Sequence, residues 1–218
     1  MPVQSKQKNQ DANKEVKKTP WYWLPFKGIE WLFIIWLVLI MAEWFGPLWG
    51  WTVGKHAEDT LLIQVALLDG DYPGLAQQVT YYILRIFEQC QALIDFEFTG
   101  WFSGLTPYWQ GAVYVSLALV ARVVILMGFY PVFLLALFVG LFDGLVVRQR
   151  RIAHVERETV TVNYYSRRIL PHTFVWAGSL WLIIPGLFPL HPVWLLLPSA
   201  IVSGMMMRIA VSSYKKFL

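Results

Sequence analysis

The segment RQRRIAHVERETVTVNYYSRR, residues 148–168, decides how this chain is arranged. It lies between long apolar runs and contains six of the eighteen Lys and Arg residues, against two Glu. Membrane proteins retain Lys and Arg on the cytoplasmic side, so a basic segment between two apolar runs sets the orientation of its neighbours. We therefore expect a cytoplasmic loop here, and the orientation of every other apolar run follows from it.

The composition is that of an integral membrane protein. Of the 218 residues, 57% are hydrophobic and 15% are charged, whereas about a quarter of a soluble domain is charged. The basic residues lie beside the apolar blocks, where membrane topology and anionic lipid explain them without nucleic acid. The single cysteine, Cys90, excludes an internal disulfide and a cysteine-based metal cluster. No cofactor or metal is predicted.

We predict an all-α protein of the bacterial inner membrane, with about four transmembrane helices and both termini in the cytoplasm. With that arrangement fifteen of the eighteen Lys and Arg are cytoplasmic. The predicted order is a disordered basic tail at 1–28, a first span at 29–49, an acidic helical periplasmic segment at 50–107, a long second span at 108–147, the basic loop at 148–168, a third span at 169–187, a fourth span at 193–211 and a cytoplasmic tail at 212–218.

The second apolar run is longer than one span needs. Two short helices broken at GFYP, residues 128–131, would also fit it. A hairpin at that point would place the basic loop outside, against the charge rule. One long, tilted and kinked helix is therefore the preferred interpretation.

The acidic segment 50–107 has seven carboxylates against two basic residues, which is typical of a periplasmic region. Apolar residues recur at spacings of three and four over 75–94, which predicts an amphipathic helix. A shorter helix over about 58–68 is expected to precede it. The two would form a hairpin that packs on itself or lies on the membrane; contact with another subunit is the alternative.

Two charged residues, Glu43 and Arg122, fall inside predicted spans. Counting helix rise from the ends of the spans places both ~9 Å below the outer boundary of the membrane core. Charges in lipid are costly unless they pair, so we predict an ion pair; separate snorkelling of the two side chains is the alternative. A third carboxylate, Asp143, is expected at the inner interface, neutralised by Arg148 or Arg167.

The basic loop is the candidate binding region. Its Thr and Val residues alternate with a strand period over 159–164, but its flanks are helical, and helix is preferred. His154 and Glu158 would then be adjacent on one face. Anionic lipid explains the charge most simply; a protein partner or a homo-oligomer is the alternative, and direct nucleic-acid binding is not expected. The candidate residues are Arg148, Arg150, Arg151, Arg157, Glu158, Tyr164, Tyr165, Arg167 and Arg168.

The stretches FDGLVVRQRR, VERETVTVNYYSRR and SSYKKFL resemble an inner-membrane protein family carried by integrating conjugative elements. The resemblance covers residues 110–218 well and the acidic segment loosely. Members often have His near the aromatic position, where this chain has Tyr. The matching residues are Asp143 with Gly144, Arg157 with Glu158, Tyr164 with Tyr165, Arg167 with Arg168, and Lys215 with Lys216.

The resemblance implies a role in conjugative DNA transfer beside the coupling ATPase and the type IV secretion machinery, without enzymatic activity. We therefore expect a non-catalytic scaffold or partner in that apparatus. Two alternatives stay open. One is a small membrane enzyme or transporter that uses Glu43, Asp143 and His154, although no catalytic or phosphate-binding motif is present. The other is a surface-exclusion protein that acts through the acidic segment.

Overall fold

The computed structural model describes residues 23–71, six positions between 81 and 89, residues 96–154 and residues 160–213. Every long element in these residues is helical, and they contain no strand, so the predicted all-α class is confirmed. Three short 3₁₀ helices, Gly46–Trp49, Gly100–Leu105 and Ile184–Gly186, join longer ones. The long helices are α1 (Leu24–Trp44), α2 (Lys55–Asp71), α3 (Thr106–Gly128), α4 (Tyr130–Ala153), α5 (Val160–Ile183) and α6 (Pro192–Ser212).

Four helical stretches among the described residues are long and apolar enough to cross a membrane, in agreement with the predicted number of spans. The chain is therefore treated as a multi-pass membrane protein. The orientation of its ends stays a prediction. The four stretches are Pro25–Trp44, Gly100–Ala153, Tyr164–Gly186 and Pro192–Ser212.

The second stretch consists of the 3₁₀ helix Gly100–Leu105 followed by α3 and α4, which meet at Phe129. This residue keeps right-handed helical dihedrals, φ −80° and ψ −10°, and its carbonyl accepts hydrogen bonds from the amides of Val132 and Phe133. Pro131 has no amide hydrogen and bends a helix without reversing it. The preferred kinked helix is therefore found, and the alternative hairpin is not. At ~1.5 Å per residue, α3 and α4 together extend ~72 Å, so part of them must lie beyond a ~30 Å membrane core.

The chain divides into two compact units after Ile34. The described part of the first is the beginning of α1, where the rings of Trp23 and Phe26 lie 5.8 Å apart. All contacts discussed below belong to the second unit, Ile35–Leu218.

Within the second unit, α5 runs antiparallel to α3 and α4. Trp181 and Leu182 contact Arg122 near one end of α5, and the ring of Phe174 lies 5.2 Å from that of Phe133 further along. α6 turns back from α5 and packs along α4, and these two helices share the largest interface. The resulting three-helix arrangement places the basic end of α4 beside the end of α6, where Arg151 contacts Ser212.

α2 packs on α3, with Leu61 buried against Leu117 and Ala118. The acidic segment was predicted to form a hairpin that packs on itself or lies on the membrane. Packing of its first helix against α3 was not predicted. The predicted short helix over 58–68 lies inside α2 and is confirmed. Most of the predicted helix over 75–94, including Cys90, lies outside the described residues, although the six described positions there are helical.

Both flanking helices continue into the basic loop, whose bounds as a membrane-external segment stay a prediction. α4 ends at Ala153 and α5 begins at Val160. The preference for helix is therefore confirmed at both ends of the segment, and residues 155–159 lie outside the described part of the chain.

Candidate functional site

The carboxylate of Glu43, at the end of α1, fixes the turn that leads into α2. One oxygen accepts the backbone N–H of Gly54 at 3.0 Å, and the other lies 2.9 Å from Nδ1 of His56. Glu43 is only 4% exposed. Gly54 has φ +84°, a left-handed conformation that favours glycine. A carboxylate at the first amides of a helix also complements the positive end of the helix dipole.

His56 is held from two further sides. Its ring stacks on that of Trp51, with centroids 4.0 Å apart and planes inclined by 5°. Its backbone carbonyl accepts a 2.8 Å hydrogen bond from the hydroxyl of Thr60, one turn later in α2. Glu43, Trp51 and His56 together therefore determine where α2 begins, and we call them the turn clamp.

Arg122 is 2% exposed in α3 and binds the end of α5. Its Nη1 donates to the carbonyl of Leu182 at 2.9 Å, while its own backbone carbonyl accepts from Nε1 of Trp181 at 3.1 Å. The last carbonyls of a helix lack amide partners within that helix, and a cation at this end is favourable. The guanidinium therefore caps α5 from a neighbouring helix.

The predicted Glu43–Arg122 ion pair is replaced by these two sets of contacts. Both side chains line the same cavity of about 10 Å³. The carboxylate, however, is bonded to Gly54 and His56, and the guanidinium is bonded to Leu182. No direct contact between the two side chains is found, because free backbone groups at helix ends bind both of them. Nε of Arg122 has no hydrogen-bond partner among the described residues.

A second cavity, of about 120 Å³, lies beside the turn clamp between α2 and the turn after α5. Gln64 lines it and is 1% exposed, and its side-chain oxygen has no hydrogen-bond partner among the described residues. This residue is not among those predicted from the sequence. A lone glutamine within the run LLIQVALL, residues 61–68, is the signal that could have marked it.

α4 and α6 approach each other closely at glycines. A Cβ on Gly140 would collide with the carbonyl oxygen of Gly204, and one on Gly144 would lie 2.9 Å from the carbonyl oxygen of Arg208. A Cβ on Gly204 would in turn lie 2.7 Å from the carbonyl oxygen of Ala136. We call this contact the glycine seam. Its GxxxG spacing at 140 and 144 is a known helix-packing signal, although neither glycine is among the residues predicted to contact another helix.

Asp143 lies next to the glycine seam and pairs with Arg208 of α6 at 2.7 Å. Arg208 reaches Asp143 because α6 lies along α4 and brings the two residues level. The pairing of Asp143 with Arg148 or Arg167 stays a prediction, since the side chain of Arg167 lies outside the described residues. Both side chains of the pair are about half exposed.

The candidate binding residues of the basic loop fall into two groups. Arg150, Tyr164, Tyr165 and Arg168 are exposed, and we call these four the basic face. The tyrosine rings lie 5.5 Å apart, edge to face. The others are placed differently: Arg148 is half-buried, Arg151 donates to the carbonyl of Ser212 at 2.8 Å, and Arg157, Glu158 and the side chain of Arg167 lie outside the described residues.

The residues of the enzyme or transporter alternative have separate partners. Glu43 lies near the start of α3, beside Gly111, whereas Asp143 is in α4 with Arg208. His154 is exposed and its Nδ1 contacts the carbonyl of Arg150; its predicted neighbour Glu158 lies outside the described residues. No group of three or more His, Cys, Asp or Glu that could hold a metal occurs in the described part of the chain.

These features define a multi-pass α-helical membrane protein with a glycine-packed helix pair and an exposed basic face. Residues 62–215 match a family model described as IncC plasmid conjugative DNA transfer protein DtrJ-like. The chain belongs to this DtrJ-like family, and membership implies involvement in conjugative DNA transfer. The resemblance to a conjugative-transfer family is thereby confirmed; carriage by an integrating element stays a prediction. No curated protein and no solved structure matches the chain.

Proposed function

We propose that this protein is a non-catalytic inner-membrane subunit of conjugative DNA transfer, which holds the coupling ATPase or another type IV secretion subunit at the membrane through its basic face. The exposure of Arg150 near the end of α4, and of Tyr164, Tyr165 and Arg168 in the first turns of α5, carries the proposal. Arginine and tyrosine are enriched in protein interfaces, where they supply most of the binding energy.

The supports of the basic face are separate from its contact residues. Arg151 ties the end of α4 to the end of α6 through Ser212, and Asp143 pairs with Arg208 nearby. Among the described residues, the hydrogen bonds of Arg150 outside the regular helix pattern involve its backbone carbonyl and His154, and none involves its guanidinium. Its side chain is therefore available to an acidic surface on a partner.

The test is reversal of charge on the exposed arginines alone. In cells carrying the whole transfer system, we expect Arg150→Glu with Arg168→Glu to reduce co-purification of the partner and DNA transfer, by on the order of tenfold or more. Arg151 is left unchanged because it supports the helix ends. The matched control is Arg150→Lys with Arg168→Lys, which keeps the charge, and His154→Ala is expected to be mild.

Charge reversal next to a span can also invert that span. Reporter fusions after Lys18, near Glu156 and at Leu218 are expected to report the cytoplasm, and one near Gln78 the periplasm, in both the wild type and the double variant. Wild-type transfer and co-purification by a correctly inserted double variant would show that the basic face binds no partner. A periplasmic signal near Glu156 in the wild type would overturn the cytoplasmic placement itself.

A further inference from the structure

A groove of about 360 Å³ runs between α4 and α6 on the outside of the glycine seam. Its walls are α4 from Val132 to Asp143 and α6 from Leu197 to Arg208. Its floor is formed by the small residues of the seam, because the two backbones touch there. α5 contacts the two helices elsewhere, through Phe174 and through Thr173, so it does not fill the groove.

The length of the groove matches one leaflet of a membrane. From Val132 to Asp143, and equally from Leu197 to Arg208, the helix rise is ~17 Å. Half of the ~30 Å hydrocarbon core is ~15 Å. Both walls lie inside candidate membrane spans. The groove therefore extends from about the middle of the membrane to one interface, as a single acyl chain does.

The charge at one end of the groove identifies the occupant. Arg208 contacts Asp143 through Nε, and no further partner of its two terminal nitrogens occurs among the described residues. Arg148, Arg150 and Arg151 follow Asp143 on α4 at positions five, seven and eight residues later, so positive charge predominates at this end. A phospholipid carries a negative charge fixed at one end of an apolar chain, which is the pattern of this groove.

We propose that the groove binds one acyl chain of an anionic phospholipid in the leaflet on the side of Arg208, whose terminal nitrogens hold the lipid phosphate. This site is independent of the proposed partner of the basic face, because its apolar wall lies within the spans. A helix of a second copy is the competing occupant, and the test separates the two.

The experiment uses the purified full chain in neutral detergent, titrated with phosphatidylglycerol or phosphatidylcholine and followed by native mass spectrometry and thermal unfolding. We expect one phosphatidylglycerol to bind more tightly than phosphatidylcholine. Arg208→Gln should weaken phosphatidylglycerol by about fivefold, the contribution of one basic residue near an anionic leaflet. It should weaken phosphatidylcholine less, because choline neutralises the phosphate of that lipid. The matched control is Asp143→Asn, which breaks the same ion pair but frees Arg208 and should retain the lipid.

A second pair of variants tests the acyl chain. Ile201→Trp fills the groove and should abolish retention of the lipid, whereas Val202→Trp, at the adjacent exposed position outside the groove, should not. Equal binding of the two lipids by the wild type, or retention of lipid by a folded Ile201→Trp variant, would overturn the proposal. So would a dimer without bound lipid that Ile201→Trp dissociates, since that result assigns the groove to a second copy.

Discussion

Charged side chains are buried at one part of this molecule and half exposed at another. Glu43 and Arg122 are 4% and 2% exposed. Glu43 accepts the backbone N–H of Gly54 and contacts His56, and Arg122 donates to the backbone carbonyl of Leu182. Asp143 and Arg208 are 48% and 52% exposed and are bonded to each other. In the first region, polar contacts determine how the helices join. In the second region, close contact at the glycine seam determines how α4 and α6 pack, and the ion pair lies beside the seam.

The two regions are held together by contacts that differ in how much free energy they lose when broken. A buried charge that loses its partner retains the full cost of desolvation. An exposed ion pair loses little, because water replaces the partner. Backbone contact at glycine is different again, because any side chain there must push two helices apart. The expected order of effects is therefore the seam first, the buried charges next and the exposed pair last.

The largest effect is expected for Gly140→Val. The added side chain meets the backbone of Gly204, which cannot move without separating α4 from α6, so the loss should be at the upper end of overpacking costs, ~3 kcal/mol or more. Chemical unfolding of the detergent-solubilised protein measures it. Gly28→Ala is the control, since nothing lies near its added Cβ and Ala is favoured over Gly in a helix by ~1 kcal/mol. Similar stability of the two variants would refute the seam.

The next effect is expected for Arg122→Ala. Removal of the guanidinium leaves the carbonyl of Leu182 buried without its donor, which should cost about 2–3 kcal/mol in the free energy of unfolding. Arg85→Ala, an exposed arginine, should change it by no more than ~0.5 kcal/mol. If the two variants unfold alike, Arg122 does not cap α5.

A smaller effect, but a more specific one, is expected from double-mutant cycles on the turn clamp. Glu43→Gln and His56→Ala should show a coupling energy of ~1 kcal/mol or more, because the two side chains are in direct contact. The cycle of Glu43→Gln with Arg122→Gln should give a smaller value, since these residues have different partners. A larger coupling energy for Glu43 with Arg122 than for Glu43 with His56 would show that Glu43 and Arg122 form a direct ion pair.

The smallest effect is expected for Asp143→Asn. The half-exposed pair with Arg208 should contribute less than ~1 kcal/mol to stability. The midpoint of chemical unfolding should therefore change little, and added salt should reduce the difference further. A loss as large as that of Arg122→Ala would place this pair among the buried charges and remove the contrast between the two regions.

Periodicity and charge were enough to predict most of the architecture. Apolar runs of span length, the basic segment at 148–168 and the proline at 131 indicate helices, spans and a kink through local chemistry alone. The motifs around Asp143 and Arg167 also indicated the family. The boundaries of the basic loop were less predictable, because α4 and α5 continue as helices through polar residues that carry no apolar period.

The partners of the charged residues could not be predicted in the same way. Asp143 pairs with a residue 65 positions later, and Arg122 binds a carbonyl 60 positions later. Such contacts depend on which helices are neighbours, and helical periodicity contains no information on that. The GxxxG spacing at 140 and 144 did indicate that another helix packs closely at these glycines, since small residues at that interval favour close approach.

The helices, their apolar length, the basic segment between them and the family can be inferred from residue types alone, because each follows from residues close together in the chain. That Glu43 supports a turn, that Arg122 caps α5 and that α6 is the helix that meets Gly140 is known only from the folded chain. A buried charge can be bonded by any well-placed polar group, including a backbone group. Which group is well placed depends on how the helices pack.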